Sequence, residues 1–348
     1  MSPDQTRLDT PLAGARALAR LNDAARAHAY DIDALPWAGG VDRERMFFPE
    51  DQMPLAFVPS WQLLREDEAR QANQWYACAV SEQFIFLEEA FLVPAVQALL
   101  RTKETKRDHA LCEALETFVV EEQKHGEMFR RALVCADAER YGQTSSSSSS
   151  SSSRPAPFYT PARAGVAFGA LCLRLPTIFV AWPWLGMILE EKTIAYHRAY
   201  ERAVTAGASL DPLHHAVHRF HFLDEARHVQ LERVLIERLW DPATTVLKDL
   251  NRPLLFRALA QYTRPRRQSV SANIVRALGE RFPRMQHLVE PLIDELMALR
   301  DDQAFQRQIY GHDAIPQTFR ALQSRPELHG IDVVAPDFAA HHAAMVHS

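Results

Sequence analysis

The segment from His218 to Glu232, HRFHFLDEARHVQLE, sets three histidines and three acids among Phe, Leu and Val in a stretch with helical periodicity. His221, Glu225 and His228 stand four and three residues apart. On an α-helix they rise from one face within about two turns. His218 and Glu232 extend that face. Imidazoles and carboxylates converging on an otherwise apolar face are metal-ligand types, because a cation offsets the desolvation that buried carboxylates would otherwise suffer uncompensated.

A second ExxH pair, Glu122 and His125 in VVEEQKH, lies about a hundred residues upstream. Two such motifs on two long helices are the material of dinuclear carboxylate sites, in which each carboxylate can bridge and each imidazole binds one ion. Such a centre needs one more acid from each of two further helices. IFLEEAFLV offers Glu88 or Glu89, and GMILEEKTI offers Glu190 or Glu191. One ExxH alone means little, and adjacent acids commonly sit on solvated faces. The joint pattern, acid in apolar context on four successive helices, is what points to metal. Glu121 and Asp224 immediately precede the two motif glutamates. Across an antiparallel bundle each is placed to accept a hydrogen bond from the non-ligating nitrogen of the opposite motif's histidine.

These residues require helices to carry them. Helix formers and apolar periodicity predict one long helix over about 68–102, bent at Pro94, and a second over about 107–139. A third begins near Thr160 or Pro161 and runs through Pro176 and Pro183, which argue for a break. The fourth starts at Asp211 and Pro212, a cap and first turn, and reaches about Leu239. Further helical patterns follow near 243–261, 267–280 and 286–309. Residues 1–65, with a short helical pattern in GARALARLNDAARAH, read as an arm; 66–240 as the bundle; 241–348 as added helices and a tail. Nine serines at 145–153 read as a flexible exposed connection. No alternating strand run and no glycine-rich phosphate loop is present. The fold class is all-α, a four-helix bundle with helices added around it.

Hydrophobic residues make up 47% and charged residues 24%, ordinary globular values, and the formal net charge of −5 gives no reason to expect a nucleic acid or an anionic membrane as partner. Cys78, Cys112, Cys135 and Cys172 lack CxxC spacing and read as buried thiols of a reducing compartment. The N-terminus has no apolar secretory segment and no run carries the 18 or more apolar residues that would span a bilayer, so a soluble cytoplasmic protein is expected. Tyr76, Tyr196 and Tyr200 fall near the bundle interior and are candidates for a redox or acid–base role.

On these motifs, over about residues 65–240, the chain resembles the ferritin-like non-haem di-iron N-oxygenases whose founding activity oxidises p-aminobenzoate to p-nitrobenzoate. The resemblance implies a helical bundle holding two Fe ions with three histidines and four glutamates. Its additional histidine, four residues before the last ExxH glutamate, is His221. Carried over by motif, the ligands are Glu122, His125, His221, Glu225 and His228. Glu88, six residues before Pro94, and Glu190, four after Gly186, complete the set, with Glu89 and Glu191 as immediate competitors. Glu122 and Glu225 would bridge and the others would be terminal; Mn or mixed Mn/Fe occupancy is compatible with these donors.

The resemblance also implies O2 as co-substrate and oxygen transfer to the nitrogen of a small amine, giving a hydroxylamine and onward a nitroso or nitro group, in a biosynthetic pathway. The family's founding member holds its substrate carboxylate with an arginine near the C-terminus. Arg300, Arg307 and Arg320 are available here without a secure equivalent, so the amine is left open. The chain has neither a dinucleotide fingerprint nor cysteine spacing for an iron–sulfur cluster, so an external electron donor or reductase is expected. A homodimer is an allowed state. The rival readings are a di-iron oxidase attacking a C–H bond and an iron-storage or redox-silent metal-binding protein.

Overall fold

The computed structural model describes residues 3–142, 155–161, 166–167, 169–170 and 173–330. The serine run, Cys172 and the His-rich tail after residue 330 lie outside these. Every element named below is helical, and the one β-bridge among the described residues joins Met46 to Leu210.

The first bundle helix is α2 (Glu66–Leu87), which follows an N-terminal α1 (Pro3–Ala27). α2 does not run through to 102 as one α-helix. It passes through a π-helical turn over Glu88–Leu92 and resumes as α3 (Val93–Leu100). In that turn Val93 N–H bonds to the Glu88 carbonyl, five residues back. The widened register accommodates Pro94, which has no N–H to donate and whose ring would press on the carbonyl four residues before it. α4 (His109–Ala136) starts on Asp108, whose carboxylate accepts the Leu111 N–H at 3.0 Å. This start lies two residues after the one read from periodicity.

The third bundle helix, α5, is Trp182–Thr205 with Pro183 in its first turn, not a helix from residue 160. Proline is tolerated where no helical N–H is needed, so Pro183 marks a start and not a kink. α6 (Pro212–Leu235) is capped by Asp211, which accepts the His214 N–H at 2.8 Å, and ends in a second π-helical turn over Ile236–Trp240. Short connections make α3/α4 and α5/α6 antiparallel hairpins.

Beyond the bundle come α7 (Thr245–Thr263), α8 (Val270–Arg281), α9 (Val289–Ala298), α10 (Gln303–Tyr310) and α11 (Pro316–Gln323). The 286–309 pattern is thus two helices, interrupted where Asp302 caps the second by accepting the Phe305 N–H at 2.9 Å. α1 extends well beyond its short sequence pattern and lays Leu18 and Leu21 on α4 and α6, against Leu111, Leu115, Phe118, Leu231 and Val234. The segment between α1 and α2 is stitched on by buried Asn73, whose side chain bonds the N–H groups of Phe47 and Phe48 and the carbonyl of Phe48.

Cys78 is buried, whereas Cys112 and Cys135 are only half-buried; all three are free thiols. The Glu66–Leu100 run is long and apolar enough, by length and composition, to cross a membrane. In this fold it supplies a wall of the bundle: Ala77, Val80 and Phe84 pack in the core that also takes Met128, Phe129 and Ala132 of α4.

Candidate metal centre

Four segments of the bundle bring seven side chains to one buried place. The π-helical turn supplies Glu88, α4 supplies Glu122 and His125, α5 supplies Glu190, and α6 supplies His221, Glu225 and His228, none more than 3% exposed. Glu225 Oε1 is 2.7 Å from His221 Nε2, 3.5 Å from His125 Nδ1 and 3.7 Å from His228 Nδ1. His228 Nδ1 is 2.8 Å from Glu122 Oε1 and 4.0 Å from Glu190 Oε2, while His221 Nε2 is 3.2 Å from Glu88 Oε1. Three overlapping groups result, each compact enough to hold an ion: Glu88, His125 and His221; Glu122, His125 and His228; Glu190, Glu225 and His228.

The polar atoms at this place lack hydrogen-bond partners. They are Glu88 Oε2, both oxygens of Glu122, His125 Nδ1, Glu190 Oε1, His221 Nε2, both oxygens of Glu225 and His228 Nδ1. Buried polar atoms are normally satisfied, and here every one of the seven residues leaves at least one atom unpaired on the same side. Two divalent ions fit this set, since four ionised carboxylates match their charge and the imidazoles add neutral donors. The clusters are consistent with a di-metal site.

Without metal the site is electrostatically divided. Burial, then Glu225 and Glu122, push Glu190 well above the usual carboxylate range. Burial acts the same way on Glu225, yet His221, Glu190 and His228 hold it well below that range. Burial would lower His221, but Glu225 and Glu88 beside it raise it to about 10.

Behind the imidazoles stands a second layer. His125 Nε2 is 3.0 Å from Asp224 Oδ2, and His228 Nε2 is 3.0 Å from Glu121 Oε2. Arg227 Nη2 joins these acids, 2.5 Å from Glu121 Oε1 and 2.5 Å from Asp224 Oδ1, and Lys124 Nζ is 2.7 Å from Asp224 Oδ2. Sequence reading passed over Lys124 and Arg227. Their signal was symmetric: each is the residue just before a motif histidine, in EQKH and EARH. Lys124 is covered in turn by the ring of Tyr30, 3.5 Å from the ring centre.

The neighbouring acids go elsewhere. Glu89 pairs with Arg130 of α4 and lies over Gly126, where a Cβ would collide with its carboxylate. Glu191 accepts the N–H groups of Gln317 and Thr318 at 2.7 and 2.8 Å, in the first turn of α11. Glu232, one turn beyond His228, is fully buried with both oxygens unpartnered, and burial pushes it well above the usual carboxylate range. Its carboxylate occupies the space left by Gly186, where a Cβ would come within 2.5 Å of Oε1.

His218 lies outside the ligand groups, boxed by Phe48, Phe84, Phe129, Tyr196 and Tyr200. Burial and the nearby His221 hold it well below the usual histidine range. Tyr76, Tyr196 and Tyr200 are buried, and burial raises all three above the ordinary phenol value. Tyr200 is committed to the Phe47 carbonyl at 2.5 Å.

The C-terminal arginines do not converge on the centre. Arg300 and Arg320 are exposed, and Arg307 lines a cavity of about 530 Å³ with Arg198, Arg202, Asp51 and Gln52. The buried cation in this region is Lys192, two residues after Glu190. It donates to Gln52 Oε1 at 3.1 Å and to the Ile309 carbonyl at 2.6 Å, and burial brings it down to about 7.

A family model described as P-aminobenzoate N-oxygenase AurF matches residues 13–290. No curated protein matches the chain.

Proposed function

The chain belongs to the p-aminobenzoate N-oxygenase family, and from that membership we propose that it is an O2-dependent di-iron oxygenase that converts a small amine to its hydroxylamine. The observation that carries the reading is the set of unpartnered buried atoms, contributed by all seven of Glu88, Glu122, His125, Glu190, His221, Glu225 and His228. As an overall reaction, amine, O2, two electrons and two protons give hydroxylamine and water. Two irons held there would supply the O2 chemistry and store the electrons.

The chain's own groups do the positioning. Glu121 and Asp224 each accept a hydrogen bond from one Nε2–H, which leaves the Nδ1 lone pairs of His228 and His125 facing inward. Arg227 and Lys124 neutralise those two acids, so the second layer adds little net charge. Phe84, Phe118 and Phe129 stand against the imidazoles and keep water away. The electrons come, on this reading, from a separate reductase or small redox protein.

The test is anaerobic reconstitution with Fe2+, metal analysis, then exposure to O2 and reductant with a panel of aromatic and aliphatic amines. About two irons per chain and oxygen on nitrogen, seen by mass spectrometry, are expected. Oxygen inserted at carbon in every substrate would transfer the centre to C–H hydroxylation. A single zinc per chain with no iron uptake would sink the di-iron reading itself.

A further inference from the structure

His197 and Glu201 lie one turn apart on α5, and His215 lies on the facing first turns of α6. The three meet beside the short connection that joins the two helices. One ligand atom from each lies within 4.8 Å of the others. His215 Nε2 is 2.7 Å from Glu201 Oε1. His197 Nδ1 is shielded from solvent and has no hydrogen-bond partner. Both rings are held by stacking: His197 on Phe222 with centroids 4.3 Å apart, His215 on Tyr200 at 5.7 Å. Glu201 is exposed, so the group opens to solvent.

We propose that His197, Glu201 and His215 form a second, mononuclear site for a borderline divalent ion, with Zn2+ the fitting occupant. Two imidazoles and a carboxylate are donors that zinc takes with bond lengths near 2.0–2.2 Å, which places tetrahedral ligand atoms about 3.3 Å apart. The present separations, 2.7 Å for His215 and Glu201 and no more than 4.8 Å for the other pairs, bracket that value. Water takes the remaining position on the open side. A simple His–Glu surface pair accounts for Glu201 and His215 but leaves the shielded His197 nitrogen without a function. His197 is seven residues beyond Glu190, about 10 Å along the helix, so this group is separate from the buried centre. Arg198 and Arg219 add positive potential nearby and weaken the site relative to that centre. A bound ion would clasp the α5/α6 hairpin, which carries four of the seven buried residues.

The experiment titrates the iron-loaded protein with Zn2+ by equilibrium dialysis and metal analysis. It compares wild type with His197→Ala, His215→Ala, Glu201→Gln and, as a control for the tail histidines, His341→Ala/His342→Ala. Wild type and the tail variant are expected to take up one zinc per chain beyond the metal already present. The three site variants lose that equivalent or bind it at least tenfold more weakly, with iron content unchanged. Because the count is a difference between wild type and variants, it holds whatever fills the buried centre. No additional zinc in the wild type, or undiminished zinc in all three site variants, overturns the proposal. Glu201→Gln, an exposed and nearly isosteric change, keeps the test decisive if a histidine variant fails to fold.

Discussion

Glu225 is the one carboxylate in ion-pair range of all three site histidines. Glu225→Ala therefore removes the group that joins the two halves of the cluster, and on the proposed di-iron reading we expect loss of both metal equivalents by metal analysis with helical content retained. His221→Ala removes one inward-facing donor, Nε2, so lower iron occupancy or altered O2 reactivity is expected while the fold persists; unchanged iron and unchanged O2 reactivity would reduce His221 to a packing role. The types and spacing of His221, Glu225 and His228 were legible because one helix face displays them. The preference for Glu88 over Glu89 was not legible from periodicity, since a π-helical turn shifts the face by a residue where sequence shows only two adjacent acids. Gly186 gave only a position in a motif; its physical reason is the buried carboxylate of Glu232 against its Cα. Gly186→Ala should cost about 1–3 kcal/mol through overpacking, read in a denaturant melt. The cost should shrink in a Glu232→Ala background, as a double-mutant cycle would detect; equal costs in both backgrounds would mean that the crowding arises elsewhere.

At the scale of elements, helix existence was legible and helix ends were not. The third bundle helix was read from about residue 160 because its apolar character continues upstream, whereas Pro183 fixes the first turn of α5 and Pro176 lies in the turn before it. Long-range partners of termini are invisible in one dimension, and Glu68 shows why. It lies in the first turn of α2, accepts the Arg65 N–H at 2.8 Å, and takes Arg284 Nε at 3.0 Å from a segment more than two hundred residues away. Burial works against its charge, but Arg284 and the Arg65 backbone hold it below the usual carboxylate range. A depressed folded value means stability that is present above the unfolded value, about 4.3, and lost as pH falls through the folded one. Arg284→Ala should therefore lower the stability read in a denaturant melt at pH 7, where Glu68 is ionised and has lost its cation. The deficit should diminish below pH 4, and one that stays constant across that range would show that charge is not its source.

For the whole molecule, the bundle alone cannot account for how deeply the centre is buried. α1 closes the α4/α6 side through Leu18 and Leu21, and α7 and α11 close the α5 side with Leu255, Leu259 and Phe319. Sequence placed these segments outside the bundle but could not say which side each covers, because amphipathic stripes do not name their partners. Burial this complete makes metal and protons compete for the same atoms. His221, raised to about 10 in the metal-free site by Glu225 and Glu88 against the effect of burial, must be neutral to ligate. Its raised value stabilises the metal-free fold fully below the unfolded value of about 6.5, and that contribution is lost as pH rises toward 10. The metal-loaded protein has no proton there to lose, and metal binding itself strengthens as the competing proton leaves. The two are one proton linkage seen from either side, so the Tm difference between iron-loaded and chelator-stripped protein should widen steadily from pH 6.5 to pH 9, with proton release on anaerobic Fe2+ addition measurable by pH-stat in the lower half of that range. A gap that narrows with rising pH, or iron uptake without proton release at pH 7, would show that the metal-free site does not store its proton on His221.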